Sequence, residues 1–227
     1  MKRSEINRIL ADAEAFFAGF RYVLPPFAAW GEDDWRQRSG EAGGILERRL
    51  GWDITDFGRG DFARFGLVLF TVRNGRLADL ERGRGSVYAE KAMIVRRDQV
   101  TPMHRHDVKT EDIINRGGAT LALKLYTRDA DGGLDHAAPV VVETDGVVRR
   151  LGPGDILRLG PGESVTLEPT VFHAFWAEGG DVFVGEVSTV NDDVTDNVFA
   201  EPIARFPTIE EDEPARRRLV GDYGRPA

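Results

Sequence analysis

The chain has 227 residues, of which 41% are hydrophobic and 30% are charged, so it is long and apolar enough for one domain with a sizeable core. A formal net charge of −8 argues against nucleic acid and anionic membranes as partners. The absence of cysteine excludes disulfides, thiolate zinc sites and iron–sulfur clusters. Because no apolar run follows the basic N-terminus or reaches bilayer length, we expect a cytoplasmic protein.

An N-terminal helical extension is predicted over residues 1–60, and we expect it to pack on the domain that follows. Its first helix has Ser4 available as the N-cap and ends near Gly19, and a following proline pair prevents its continuation. Residues 45–50 could form a second, short helix. The apolar positions at helical spacing are Ile6, Ile9, Leu10, Ala13, Phe16, Phe17 and Phe20.

From about residue 62 the sequence changes to short β-rich segments separated by turns. Asn74 and Gly75 predict a hairpin turn after the first strand. The predicted strands are residues 65–72, 86–95, 99–106, 120–126, 140–144, 147–151, 156–159, 163–167, 172–176 and 182–187. Many short strands predict a mainly β domain, a sandwich or a closed barrel, over residues 61–206. Residues 207–227 are predicted to be a C-terminal surface tail.

Three of the four histidines fit one metal-binding pattern. His104 and His106 are two residues apart, so on a strand both imidazoles project to one face, and His173 lies on a later predicted strand. Glu111 has the opposite parity and would point away from a regular strand. A bulge or bend after His106 would turn Glu111 inward, and Lys109 with it. The three histidines and Glu111 are therefore the predicted metal ligands.

Three imidazoles and one carboxylate suit a divalent first-row metal: manganese, iron, cobalt, nickel or zinc. Four protein ligands would leave two adjacent positions of an octahedral ion open to two oxygens of a substrate. The alternative is that these histidines are ordinary exposed strand residues, because a lone His-x-His is weak evidence. The remaining histidine, His136, lies in a polar loop and is interpreted as solvated.

Two stretches resemble the motifs of the cupin superfamily. The first is the run from His104 through Glu111 to Gly117; the second contains Pro169 and His173 but lacks the usual glycine. The longer run over residues 104–118 resembles the D-lyxose isomerase family of cupins. The other segments that resemble this family are residues 88–91, 99–102 and 186–193 and the helical extension, so the resemblance covers nearly the whole chain.

This resemblance implies a cupin double-stranded β-helix, a jelly-roll barrel with the metal inside and a helical extension before it. It also implies an aldose–ketose isomerase that interconverts D-lyxose and D-xylulose, and D-mannose and D-fructose, through a metal-chelated cis-enediol, with Mn²⁺ as the favoured metal. The absence of a basic phosphate-binding loop favours a neutral monosaccharide substrate. A homodimer is expected by analogy. A hydride-shift route, an iron-dependent dioxygenase and a non-catalytic sugar-binding cupin remain open as alternatives.

Further site residues are expected beside the metal motif. The bend and the resemblance place Lys109 where it could polarise a carbonyl oxygen or shuttle a proton. Glu186 lies late in an apolar strand and is the leading candidate for the general base. Lys91 interrupts another apolar strand, where an inward ammonium group would need a partner. Solvated positions are the alternative for all of these. The predicted sugar-binding residues are Asp192, Asp193, Asp196, Glu201 and Arg205.

Overall fold

Twelve strands and four α-helices form the part of the chain that the computed structural model describes, residues 1–224. The helices are α1 (Arg3–Gly19), α2 (Glu32–Gln37), α3 (Gly43–Glu47) and α4 (Leu77–Arg82), with short 3₁₀ turns at Pro26–Ala29 and Val220–Asp222. The strands are β1 (Gly51–Thr55), β2 (Leu67–Arg73), β3 (Tyr88–Val95), β4 (Thr101–Arg105), β5 (Glu111–Arg128), β6 (Leu134–Asp135), β7 (Val140–Thr144), β8 (Val147–Leu151), β9 (Ile156–Leu159), β10 (Ser164–Leu167), β11 (Phe172–Thr189) and β12 (Val198–Phe199). None of the helices within residues 1–224 is both long and apolar enough to cross a membrane.

Two strands of 18 residues each, β5 and β11, organise the barrel. They pair antiparallel from Phe172 opposite Tyr126 to Ser188 opposite Glu111. The other edge of β11 pairs first with β4 and then with β3, while β5 also pairs with β9 and β10. Strands β7 and β8 extend the sheet beyond β10. This arrangement confirms the predicted mainly β, jelly-roll barrel of the cupin type.

The two longest strands were predicted only in part. The predicted strand at residues 120–126 is the second half of β5, and the last two predicted strands are the two ends of β11. The glycines at the middle of each strand allow a bend without ending the pairing: Gly179 has a φ of +83°. A Cβ atom on Gly118 would lie 2.3 Å from the backbone oxygen of Asp181. In the sequence such glycines look like turns between strands, so each long strand was predicted only in part.

The hairpin predicted at Asn74 and Gly75 is wrong. The chain instead passes through α4 before it returns as β3 beside β2. The side chain of Asn74 is used in another way: its Nδ2 donates to the backbone oxygen of Asn191 at 2.9 Å, and its Oδ1 accepts from the backbone N–H of Asn191 at 3.0 Å. Gly75 is required because a Cβ there would clash with the backbone oxygen of Ser86.

The predicted N-terminal helix is confirmed, and it packs on the outer face of the sheet. Its buried side chains recur at helical spacing and contact the outward side chains of β1, β2 and β3. These helix residues are Ile6, Leu10, Ala13 and Phe17. Ser4 is not the N-cap; it lies inside α1, and its hydroxyl donates to Asp212 at 2.7 Å. The structure also places a strand, β1, within residues 1–60, where only helices were predicted.

The described part of the predicted C-terminal tail is anchored to the body of the protein. The guanidinium of Arg3 pairs with Glu211 at 2.7 Å and with Asp222 at 3.0 Å. Leu219 is buried and bridges to Trp52 of β1. A surface tail was predicted because charged residues dominate this segment, but several of those charges meet opposite charges on α1. Residues 225–227 of the predicted tail lie outside the described residues.

Candidate active site

The three predicted histidine ligands converge inside the barrel. His104 on β4 lies opposite His173 on β11, and His106 follows directly after β4. All three side chains are buried, and their metal-ligating ring nitrogens lie within 4.8 Å of one another. Cross-strand pairing therefore brings His173 beside the His-x-His pair, although the two are far apart in the sequence.

Each imidazole is oriented by a backbone carbonyl. The Nδ1 atoms lie 2.8 Å from the oxygen of Pro102 for His104, 2.7 Å from that of Asp196 for His106, and 3.2 Å from that of Val171 for His173. A carbonyl can only accept, so each Nδ1 carries the proton and donates. Each Nε2 is thereby left with a lone pair, which is the tautomer that a metal ligand requires.

Glu111 completes a set of four acceptors that face one another. Its Oε1 is 3.1 Å from Nε2 of His173 and 3.5 Å from Nε2 of His106. Oε1 of Glu111 and Nε2 of His173 are both buried, and neither has a hydrogen-bond partner among the described residues. Buried lone pairs that face each other at such distances are stabilised by a proton or a metal cation between them. The donor set thus fits a divalent metal ion.

The protonation states of these groups also fit a metal site. Burial lowers the pKa of His104 well below its ordinary value, and neighbouring His173 and His106 lower it further. Burial and the Lys109 ammonium lower the pKa of His106 to about 4. For Glu111, burial raises the pKa, but Lys109 and the nearby histidines outweigh it and hold the pKa well below the usual range. At neutral pH these two imidazoles are neutral and the carboxylate is ionised, as metal ligation requires.

The predicted bend between His106 and Glu111 is present, and Asp196 holds it. Strand β4 ends at Arg105 and β5 begins at Glu111, so the side chains of residues 106–110 need not alternate between the two faces of a sheet. The Oδ1 atom of Asp196 accepts from the backbone N–H groups of residues 107 and 108 at 2.8 and 2.9 Å, and Oδ2 accepts from that of Lys109 at 3.0 Å. Lys109 and Glu111 both face inward as a result, and both are buried.

Asp196 was predicted to bind sugar, but its carboxylate is occupied by these three backbone donors, and its own carbonyl accepts from His106. The residue therefore positions a ligand and a lysine from outside the cavity. We expect Asp196→Ala to weaken metal affinity about 10- to 100-fold, the usual range for groups that orient a ligand. Metal titration of the stripped variant checks this. Unchanged affinity with lost activity would instead indicate direct contact with substrate.

A row of alternating charges leads away from the metal ligands. We call this the charged row; it consists of Glu111, Lys109, Glu186, Lys91 and Asp193. Successive oxygen–nitrogen distances along it are 2.7, 2.9, 3.4 and 3.3 Å. Glu186 and Lys91 meet because they are cross-strand partners on β11 and β3. All three residues predicted to be catalytic therefore lie together beside the metal ligands.

Lys109 is a cation in this setting. Burial lowers its pKa, but Glu111 and Glu186 outweigh that effect and raise the pKa above the ordinary value for lysine. Lys109 and Lys91 both contact the same oxygen of Glu186, Oε1. The other oxygen, Oε2, has no hydrogen-bond donor among the described residues. Glu186 is thus the acceptor in the row with a free carboxylate oxygen, and the lysines are the donors.

Asn191 is a site residue that the sequence analysis missed. Its Oδ1 accepts from Lys91 at 2.7 Å and from Lys109 at 3.3 Å, so it ties the two ammonium groups together. Asn74, whose hydrogen bonds to the Asn191 backbone are described above, fixes its position. The one sequence signal for this arrangement was the Asn74-Gly75 pair. A hairpin turn accounts for that pair as well as the contact between Asn74 and Asn191 does.

The remaining predicted sugar-binding residues separate into two groups. Asp193 and Arg205 line the same cavity as the metal ligands. Asp192 lies outside it, and its carboxylate accepts from the backbone N–H groups of residues 194 and 195. Glu201 is exposed and pairs with Arg59. An acidic loop residue gives the same sequence signal in each case, so spacing could not distinguish them.

One cavity contains these groups. Its polar wall is formed by the metal ligands and the charged row. The rest of its lining is largely apolar and includes Phe57, Leu67, Leu69, Met93, Phe175 and Phe199. Charged groups beside apolar and aromatic side chains suit a polyhydroxylated ligand with a carbon backbone.

A sequence profile of the D-lyxose isomerase family matches residues 1–223. The chain belongs to the D-lyxose isomerase family. Two relatives of this family are D-lyxose/D-mannose isomerases. That of Serratia proteamaculans is 48% identical over 226 residues, and that of Escherichia coli O157:H7 is 46% identical over 226 residues. In both cases the alignment covers 98% of this chain and 98% of the relative.

Solved structures support the same fold. The L-ribose isomerase of Acinetobacter sp. DL28 in complex with L-ribose superposes with a TM-score of 0.61 at 16% identity. That of Cellulomonas parahominis with L-ribose gives a TM-score of 0.56 at 20% identity. Each superposition covers 92% of this chain and 98% of the L-ribose isomerase chain. Membership of the family makes the protein an aldose–ketose isomerase that acts on a monosaccharide.

Proposed function

We propose that the enzyme interconverts D-lyxose and D-xylulose, and D-mannose and D-fructose, with one divalent metal ion held by His104, His106, Glu111 and His173. The observation that supports this most is the convergence of four buried acceptors beside the charged row. The ion would supply electrostatic stabilisation to the negative charge that develops on the oxygens of C1 and C2. Mn²⁺ is the ion we propose, and Co²⁺, Fe²⁺, Ni²⁺ or Zn²⁺ would suit the same donors.

The residues beside the metal ligands account for the proton movements. Glu186 takes the proton from C2 with its free oxygen, and the electron pair forms the C1–C2 double bond of a cis-enediol. The carbonyl oxygen O1 receives a proton from Lys109 in the same step. Return of the proton from Glu186 to C1, and of the O2 proton to Lys109, leaves the carbonyl at C2. The hydrogen therefore moves between adjacent carbons without exchange of electrons with another molecule.

The proposed steps leave the total charge of the cavity unchanged, because Glu186 gains the proton that C2 loses and Lys109 gives and then regains a proton. The lysine, arginine and carboxylate side chains in the cavity lining are Lys91, Lys109, Arg205, Glu111, Glu186 and Asp193. The route therefore needs no second substrate to supply or remove charge.

Neither alternative function is favoured by a feature of the site. A dioxygenase would use the same four ligands, but it would have no use for the two buried lysines on Glu186. A non-catalytic sugar-binding protein would use the same polar groups, and turnover of an aldose distinguishes the isomerase from it. Family membership adds to this argument, because both curated relatives are isomerases.

The substrate proposal is tested with a panel of aldoses. The protein is stripped with chelator, restored with Mn²⁺ and assayed for ketose formation from D-lyxose, D-mannose and D-xylose. We expect D-xylulose from D-lyxose and D-fructose from D-mannose, and little turnover of D-xylose. Failure on every aldose at full metal occupancy would contradict the proposal, and oxygen consumption that depends on iron would favour the dioxygenase. The homodimer, the cytoplasmic location and the segment boundaries at residues 60 and 206 remain predictions.

A further inference from the structure

The guanidinium of Arg205 lies at the end of the charged row that is furthest from the metal ligands. Its Nη2 is 3.6 Å from Oδ2 of Asp193 and 2.7 Å from Oδ2 of Asp53. The side chain of Arg205 is 11% exposed and lines the cavity. The four contacts of the row and the contact between Asp193 and Arg205 therefore separate this guanidinium from Glu111, and one cavity contains both.

One donor of this guanidinium is unused. The Nη1 atom of Arg205 is buried and has no hydrogen-bond partner among the described residues. A buried charged donor without a partner is costly, and because Arg205 lines the cavity, a ligand bound there that supplies an acceptor would remove this cost. The hydroxyl groups of a sugar are acceptors of the required kind.

The orientation of Arg205 is fixed from strand β1. Asp53 is 5% exposed at its side chain and lies against Nη2. Two residues later on the same face, the Thr55 hydroxyl donates to the backbone oxygen of Arg205 at 2.8 Å. Both side chain and backbone of Arg205 are thus held before any ligand binds, which lowers the entropy that binding would cost.

We propose that Arg205 is a specificity-determining residue that donates from Nη1 to a hydroxyl of the aldose beyond C3, and that Asp53 is its positioning residue. The proposal rests on the proposed function, because C1 and C2 must lie at the metal ligands for the far end of the sugar to reach Arg205. The ligand class is a neutral polyhydroxylated chain of at least four carbons. Binding energy from this remote contact contributes to the reaction at C1 and C2.

The test compares D-lyxose with D-glyceraldehyde, which has the reacting C1 and C2 but no carbon beyond C3. Arg205→Lys, in the Mn²⁺-loaded enzyme, is expected to lower kcat/KM for D-lyxose about 10- to 100-fold, the effect of losing a hydrogen bond from a charged donor. For D-glyceraldehyde the change should be less than about twofold, since it makes no such contact. Asp53→Asn should show the same dependence on substrate with a smaller loss.

The matched control is Arg158→Lys. Arg158 is an exposed barrel arginine that pairs with Glu178 at 2.8 Å, and its replacement should change kcat/KM for neither D-lyxose nor D-glyceraldehyde. Dissociation constants for D-arabinitol, the polyol of D-lyxose, and for glycerol give the same comparison without turnover. Equal loss for long and short ligands, or no loss for D-lyxose, would overturn the role of Arg205. A wild-type enzyme that turns over no aldose contradicts the proposed function instead, and the binding comparison then still decides this inference.

Discussion

Replacing Glu186 by glutamine is expected to lower kcat for D-lyxose by about 10²- to 10⁴-fold, the contribution usual for a general base. Glutamine has nearly the same shape, and its carbonyl oxygen can still accept from Lys91 and Lys109, which lie 3.4 and 2.9 Å from Oε1 of Glu186. It cannot take a proton from C2. The measurement is steady-state isomerisation at full Mn²⁺ occupancy, with metal content determined on the same sample.

The control for this variant is Glu178→Gln on the same strand, β11. Glu178 is a surface residue paired with Arg158, so its replacement should leave kcat unchanged. Metal content should be the same in wild type and in both variants, because Glu186 is not among the proposed ligands. A Glu186→Gln enzyme that retains kcat within about threefold would rule out general-base catalysis by this residue.

Replacing Glu111 by alanine is expected to remove bound metal and activity together. The variant loses the one anionic ligand, and three neutral imidazoles bind a divalent ion less tightly than the same set with a carboxylate. It also removes the contact of the Lys109 ammonium with Glu111 at 2.7 Å, while Glu186 still accepts from Lys109 at 2.9 Å. A buried charge left with no partner costs about 3–5 kcal/mol of stability, and Lys109 should lose less than this because Glu186 remains, so thermal unfolding must be measured beside metal content.

Glu111→Gln separates these two effects. The amide oxygen can still accept from Lys109, so the variant should unfold closer to the wild-type temperature while it binds Mn²⁺ more weakly. Stoichiometric Mn²⁺ with wild-type affinity in either variant would show that Glu111 is not a ligand. In that case the acceptor contacts of Glu111 with His173 and His106 would need another explanation.

The sequence was informative where chemistry constrains spacing. The His-x-His pair, the later His173 and the parity of Glu111 predicted a convergence and a bend, and both are present. The barrel also followed from short strands with marked turns. These inferences succeed because a strand has a fixed period of two, so a change of face requires an irregularity that can be placed between two residues.

Pairings between distant segments could not be obtained in this way. Glu186 meets Lys91 because β11 and β3 pair in one register, which no local pattern determines. Asp53 was missed because β1 lies in a segment predicted to be helical. Asp196 was assigned to sugar because an acidic residue that holds backbone N–H groups looks the same in sequence as one that binds hydroxyls. Its partners exist only after the barrel closes.

The most direct test of the account is a titration of stripped protein with Mn²⁺, in which bound metal and D-lyxose isomerisation are followed together. We predict no activity in the metal-free protein and a linear return to a plateau at one ion per chain. The same titration of His173→Ala should give neither tight binding nor activity, because His173 supplies one of the four converging acceptors. Full activity in protein that is demonstrably free of metal would contradict the account.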